Sequence, residues 1–404
     1  MGKWNSQVFG GNRMKKILFY TSGIGLGGVE KTLLQILKSI DKNKFDIKVA
    51  FQNGNEDYFE PEIPKEIDYR FMLSKDIIKK TLFFKERKEN IFYKLCYLIM
   101  MKYEKYIIKK NFFSFSSDRE IIIDFKSGDF YKIVQLNKKS KKICWIHTEI
   151  TKLIRYEKRR KKLEKFFKEC DKIVCICNEM RDNVIKEIPE IEKKVEVIYN
   201  CFDIEKIKEL SLKENELSLK ERELLNKDYI IMVGRLDDNS KDFKTLIKAF
   251  KIYKNKIKNG IKLYLLGEGP DRKEIVKLIN QEKLNEEILF LGAKQNPYPW
   301  IKHSKFLVHS SKFEGFGLVL VEAMILDKLI ISSNCPVGPT EILESGKNGI
   351  LFNVGDSETL AKVIGEVLLS KEINKKYIEN MKNRKYDFSK KKIIKDIEKL
   401  LNSI

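Results

Sequence analysis

The sequence predicts an α/β protein built as two doubly wound domains. Three observations point there. The 404 residues exceed the ~250–300 at which a single core stops growing, so two domains are expected. Short apolar runs that read as buried parallel strands recur along the chain, each followed by a loop and then by apolar residues at helical spacing. Three of those loops, near 22–28, 234–243 and 312–317, carry glycines, cations or carboxylates at the carboxyl ends of strands. That is where ligands bind in open α/β sheets.

Composition narrows the class. Hydrophobic residues make up 43% of the chain, ordinary for a globular protein. The net charge of +22 is not ordinary. The first 200 residues carry 43 Lys+Arg against 28 Asp+Glu, and the remaining 204 carry 37 against 30. A basic first half points to an anionic partner: nucleic acid, a membrane surface or a phosphorylated substrate. The plainer reading is a lysine-rich composition with no target. Seven cysteines without regular spacing argue for reduced thiols and a cytoplasmic setting. Cys175 and Cys177 alternate along a strand, face opposite sides and make a poor chelate. No uncharged run of 18 residues exists to span a membrane. The apolar stretch 17–20 is too short for a signal peptide. Residues 1–13 read as a disordered leader, with the structured chain starting at Met14.

The first domain is expected over 14–200. Residues 16–21 read as its first strand. The glycine loop 22–28 follows, then a helix with Val29, Leu33, Ile36, Leu37 and Ile40 on one face. Such a turn tolerates phosphate. It fails as a Walker A loop, because Val29 and Glu30 separate Gly28 from Lys31-Thr32. Gly23, Gly25 and Gly28 match G-x-G-x-x-G. The next strand, 45–51, ends in Gln52-Asn53-Gly54, without the acid that would hold a dinucleotide ribose. Residues 75–113 carry 11 Lys+Arg and 4 Asp+Glu among aromatics and aliphatics such as Phe83, Phe84, Leu95, Ile99 and Tyr103. Basic amphipathic helices of this kind lie in membrane interfaces, each cation worth ~1 kcal/mol beside an anionic leaflet. The alternative is that these aromatics form a helix-on-sheet core. A second basic run spans 155–168. Strands at 120–124 and 142–146 follow, and the second ends at His147, a candidate by position. Another strand is expected at 171–178.

The second domain is expected over 201–388, entered by a crossover at 194–203 and one Lys/Glu-rich helix at about 204–226. Strand 228–234 runs into a polar loop where Arg235 and Lys241 stand six residues apart, placed to neutralise a departing diphosphate. Strand 262–266 runs into Gly267-Glu268-Gly269-Pro270, and strand 288–292 follows. Then 305–311 reads as a strand that opens into Glu314, Gly315 and Gly317 on a loop and Glu322 on the next helix. The two glycines let main-chain N–H groups face an anion at the helix start. That helix should end at Asp327, which tolerates a left-handed cap less well than glycine but better than most residues.

This succession of motifs resembles glycosyltransferase family 4, the retaining, nucleotide-sugar-dependent enzymes of the GT-B fold, of the bacterial polysaccharide or glycan type. The likeness rests on Gly27-Gly28-Val29-Glu30, on Asp171-x-Ile173-Val174, on Gly234-Arg235-Leu236 with Lys241-Asp242, on Gly267-x-Gly269-Pro270, on Glu314 with Glu322, and on 330–342. Two departures stand out. Cys177-Asn178 occupies a place where Ser is common, and Asn200-Cys201 one where Asn-Pro or Asn-Gly is common. The resemblance implies two Rossmann-like domains facing a cleft, with the last helix, 389–404, crossing back to the first. It implies that Arg235 and Lys241 hold the donor diphosphate and that Gly317 and Leu318 add helix-start N–H groups. It gives Glu322 the ribose and Glu314 the sugar hydroxyls. Gly27, Gly28 and His147 would close the cleft from the first domain, with His147 touching the transferred sugar and 293–298 beside the base.

The implied activity moves a hexose or N-acetylhexosamine, with retention, from a nucleotide-diphosphate sugar (a UDP-sugar first) to a lipid-linked or cell-surface polysaccharide acceptor. The protein would be cytoplasmic and peripheral on the inner face of the cell membrane, touching anionic lipid and no nucleic acid. No cofactor is expected beyond the donor. No metal is expected either, since the sequence has no Asp-x-Asp motif and its cations take that place. Two other classes fit in part. A GT-B-fold sugar-nucleotide epimerase shares the architecture without this Arg/Lys and Glu set. A non-enzymatic basic nucleic-acid- or membrane-binding protein explains the charge, but not three loops at strand ends.

Overall fold

The computed structural model describes residues 13–25, 27–54, 58–257 and 259–404. The leader expected over 1–13 lies outside these residues except for Arg13, as does Leu26 of the glycine loop. The chain divides into two compact units. The first comprises the chain up to Ile146, Lys158–Val174 and Leu401–Ile404; the second comprises His147–Glu157 and Cys175–Leu400. Residues 147–157 and 175–200, expected with the first domain, group with the second unit.

Seven strands make the first sheet: β1 (Lys15–Thr21), β2 (Phe45–Phe51), β3 (Asp68–Phe71), β4 (Ile121–Asp124), β5 (Lys141–Ile146), β6 (Lys172–Cys175) and β7 (Val195–Val197). Their order is β3-β2-β1-β4-β5-β6-β7. The pairings from β3 through β5 are parallel. Sequence explains the order. β4 is Ile-Ile-Ile-Asp and wholly buried, as a central parallel strand covered on both faces must be. β3 exposes Asp68 and Arg70, charges that suit an edge.

The second sheet has β8 (Tyr229–Val233), β9 (Lys262–Leu266), β10 (Ile288–Gly292), β11 (Leu307–His309), β12 (Ile330–Ser333) and β13 (Ile350–Phe352). It is parallel throughout, in the order β10-β9-β8-β11-β12-β13. The sequence order reverses between β8 and β11, which is the switch point where such sheets open a crevice. The helix Phe243–Lys256 packs Phe243, Leu246, Ile247, Phe250 and Tyr253 into the core. Each such side chain contributes roughly 1.5–3 kcal/mol by leaving water.

Three expectations meet the structure in instructive ways. The single helix expected at 204–226 is instead two, Ile204–Ser211 and Leu219–Leu225, with a 3-10 turn Glu214–Glu216 between them. The break is written in Ser218 and Glu221, which form a capping box and start a new helix. Asp327 does end its helix in the left-handed region, with φ 54°, and Lys385 Nζ lies 2.7 Å from its Oδ1. The basic segment forms two helices, Lys75–Glu86 and Ile91–Ser116. The longer one meets the shorter at its start, where Tyr93 lies against Phe83 and Phe84, and is buried only toward its end. Phe112 packs on Tyr20 with ring centroids 5.0 Å apart, and Asn111 Nδ2 donates to the Met72 carbonyl (2.9 Å). From Ile91 to Ile107 no side chain is buried. Apolar residues occupy every face of that stretch, which is therefore less amphipathic than its composition implied.

Leu246 is fully buried in the second core. Replacing it by Ala should cost about 2–5 kcal/mol, read as a lower denaturant midpoint with an unchanged slope.

Candidate active site

Two loops meet at the switch point of the second sheet. The Asp242 N–H donates to the Ser310 carbonyl (3.0 Å) and the Lys312 N–H to the Ser240 carbonyl (2.9 Å). Ser310 Oγ donates to the Asp242 carbonyl (3.0 Å). The loop after β8 is backed by the turn after β9. Gly234 N–H donates to the Leu266 carbonyl and Leu236 N–H to that of Glu268, both at 3.0 Å. This contact requires glycine. A Cβ on Gly267 would sit 1.9 Å from the Gly234 carbonyl oxygen, and one on Gly269 2.3 Å from that of Leu236.

Glu314 is mounted on this frame. Its Oε1 accepts from Ser311 Oγ (2.8 Å) and lies 3.0 Å from His309 Nε2. Lys241 Nζ pairs with the same oxygen. Only 12% of the Lys241 side chain and 14% of the Glu314 side chain are exposed. Burial alone would raise the Glu314 pKa. The Lys241 charge, then the charge and hydrogen bond of His309, overcome it and hold the carboxyl well below the usual carboxylate range. Burial, then Lys241, push His309 the other way, below its ordinary value.

The backbone around Glu314 is equally constrained. A Cβ on Gly315 would lie 2.3 Å from the His147 carbonyl oxygen, so glycine lets that main chain come close. Gly317 caps the helix Leu318–Ile325 in a left-handed conformation, φ 94°. Leu318 opens the helix, where N–H groups lack carbonyl partners within it. Leu320, Val321, Ala323, Met324 and Ile325 are buried. Glu322 is buried on the same helix, with the Tyr298 hydroxyl 3.3 Å from its Oε1.

The second unit thus brings together Lys241, Glu314, Gly317, Leu318 and the His147 main chain. Arg235 stands exposed on the loop after β8. Gly27 and Gly28 belong to the first unit, at the start of the helix Gly28–Ser39. There a Cβ on Gly27 would lie 2.1 Å from Glu30 Oε2.

Sequence reasoning missed several members of these sites. His309 and Ser311 are two residues apart at a strand end, so a period of two puts both on one side; that signal was there to be read. Glu341 was a motif position without a task. Its carboxylate accepts from the N–H groups of Asn178 and Glu179 (both 3.0 Å) and from the Tyr199 hydroxyl (2.5 Å). It therefore caps the helix Asn178–Glu187 from outside. Asn178 Nδ2 donates to the same carboxylate (2.6 Å), a task for the residue beside the missing Ser. In the first unit Asp124 is fully buried. Burial pushes its carboxyl up to about 7, against the pull of the Lys126 and Phe130 N–H groups.

Breaking the Lys241–Glu314 pair leaves a nearly dry carboxylate without its ammonium partner. Lys241→Ala should destabilise the protein by about 3 kcal/mol or more at pH 7. The sign with pH follows from the depressed Glu314 pKa. The pair's contribution is complete above the ordinary carboxylate range and fades as pH falls below ~4.5. Denaturant curves for wild type and variant should therefore converge toward pH 3.

Comparison with known proteins fits this geometry. Residues 214–384 match the family model for glycosyl transferases group 1, and residues 129–206 match that for Glycosyltransferase Family 4. The chain is 29% identical, over 54% of its length, to the N-acetylgalactosamine-N,N'-diacetylbacillosaminyl-diphospho-undecaprenol 4-alpha-N-acetylgalactosaminyltransferase of Campylobacter jejuni. That match spans 57% of the relative's own length, less than two thirds. An uncharacterized glycosyltransferase of Haemophilus influenzae is 22% identical over 96% of this chain and 100% of its own. The crystal structure of Anabaena HepE in complex with UDP and glucose shares the fold, with a TM-score of 0.76 at 17% identity over 96% of this chain and 100% of that one. With both family models matched in sequence order and two Rossmann-like sheets each carrying its motif loops at strand ends, the chain belongs to the GT-B glycosyltransferases of the family 4 type.

Proposed function

We propose that the protein is a retaining glycosyltransferase that moves a hexose or N-acetylhexosamine from a UDP-sugar to a lipid-linked or cell-surface polysaccharide acceptor. The observation that carries this reading is the Lys241–Glu314 pair at the switch point of the second sheet. A cation and a carboxylate are held side by side where a donor's diphosphate and sugar would lie. The bond from the anomeric carbon to the diphosphate oxygen breaks, and its electron pair leaves with the diphosphate. Arg235 and Lys241 meet that charge in place of a divalent metal, aided by the helix-start N–H groups at Gly317 and Leu318. The acceptor oxygen bonds to the anomeric carbon, and its proton leaves with the departing phosphate. Glu314 holds sugar hydroxyls and Glu322 the ribose. His147 touches the transferred sugar, and Gly27 and Gly28 form a phosphate-tolerant turn in the first unit. The UDP in the HepE complex supports the base, and the diphospho-undecaprenol in the Campylobacter relative's name supports the lipid-linked acceptor.

Release of UDP from UDP-glucose, UDP-N-acetylglucosamine and UDP-N-acetylgalactosamine, with a chelator present, tests this reading. Turnover should persist with the chelator, and Arg235→Ala should lower it about 100- to 1,000-fold. A fully active Arg235→Ala variant would sink the assignment.

The acceptor reading has its own support. No helix among the described residues is long and apolar enough to cross a membrane. The helix Ile91–Ser116 nonetheless exposes Phe92, Leu95, Leu98, Ile99 and Tyr106 beside lysines. We read this face as a peripheral contact with an anionic leaflet on the cytoplasmic side. Its like charges repel a second copy and attract acidic headgroups. Co-sedimentation with phosphatidylglycerol vesicles should exceed that with phosphatidylcholine and fall with added salt. Leu95→Asp with Ile99→Asp should reduce it at an unchanged melting temperature, because neither side chain is buried.

A further inference from the structure

We propose that His309 is a positioning residue for Glu314: it fixes the carboxylate so that Oε2 alone addresses the transferred sugar. The inference rests on the reading of Glu314 as the sugar's partner. The imidazole is 1% exposed, at the end of β11, which pairs with both β8 and β12. Its Nε2 lies 3.0 Å from Glu314 Oε1 and 3.2 Å from Ser311 Oγ. Ser311 Oγ itself donates to Oε1 at 2.8 Å, and Lys241 Nζ reaches the same atom. Among the described residues, all three protein partners of this carboxylate fall on Oε1.

A carboxylate held this way cannot turn about its last torsion without breaking three contacts at once. Oε2 is then presented in one direction. Lys241 could not supply that alone, since an ammonium on a four-carbon stem is a point charge with little directional preference. A buried imidazole at a strand end is directional. Its Nδ1 is buried with no hydrogen-bond partner among the described residues, so the proton belongs on Nε2, where both neighbours are oxygens. His309 therefore donates to Glu314 with or without ligand. Lys241 is left free to turn its charge toward an arriving diphosphate while Glu314 keeps its place. Ser311 completes the set, because its hydroxyl binds the carboxylate from the same strand end.

The test uses two variants and one spectrum. His309→Leu removes the donor at similar volume. His309→Gln restores an N–H at a similar reach. With a UDP-sugar that the wild type turns over, His309→Leu should lower kcat about 10- to 100-fold while its affinity for UDP stays that of the wild type. His309→Gln should recover most of the loss. The chain has only 3 histidines, so 15N spectra of histidine-labelled protein resolve the tautomer directly. His309 should show a protonated Nε2 that shifts in Glu314→Gln while His303 does not move. A protonated Nδ1 in the wild type overturns the proposal. So does wild-type turnover in His309→Leu, or a His309→Gln variant as impaired as His309→Leu. If no UDP-sugar is turned over by the wild type, the enzymatic reading fails, and the spectrum still decides the role of His309.

Discussion

Glu314 keeps its negative charge in a place that water barely reaches, and it does so because Lys241 arrives from another loop. Removing a carboxylate from water costs several kcal/mol even after the protein relaxes. The compensating cation stands 73 residues away in the sequence. Two loops must therefore be laced together before the charge can be tolerated, and the main-chain bonds between 240–242 and 310–312 do that. Those bonds in turn need β8 and β11 side by side, which only the reversal of strand order provides. The pair thus sets conditions on the topology of the whole second sheet.

The same dependence explains the glycines. Gly267 and Gly269 let a turn press on the loop that carries Arg235 and Lys241. Gly315 does likewise for the His147 main chain. Their value lies in the absence of a side chain, which lets one backbone lie against another at less than a methyl group's distance. In a site of this kind the loops are held by strand ends and close backbone contacts, and the side chains of Lys241, His309 and Ser311 then fix the carboxylate.

Much of this was legible in the sequence. Buried parallel strands announce themselves as unbroken apolar runs, as 121–123 and 230–233 do. Loops at their carboxyl ends are then located by simple counting, and Asp327 marked its helix end without the usual glycine. What stayed hidden has physical causes. The helical period over 204–226 continued across Ser218, and only its capping box, a local hydrogen-bond exchange, revealed the break. His309 and Ser311 carried a spacing of two at a strand end, yet the task of His309 stayed hidden because it arises only when Glu314 and Lys241 fold around it. Glu341 was hidden for the same reason, since its partners, Asn178, Glu179 and Tyr199, lie more than 140 residues back.

The long helix of the first unit has a consequence for the protein as a solute. Between Ile91 and Ile107 nothing is buried, so the molecule carries an oily rod studded with lysines. At ~0.01 M salt, where charges are felt over ~30 Å, those lysines keep copies apart. At ~1 M that reach shrinks to ~3 Å, and the apolar faces can meet before the charges repel. Colloidal stability here runs opposite to the usual habit of adding salt to quiet a basic protein: dilute buffer disperses it, and concentrated salt gathers it.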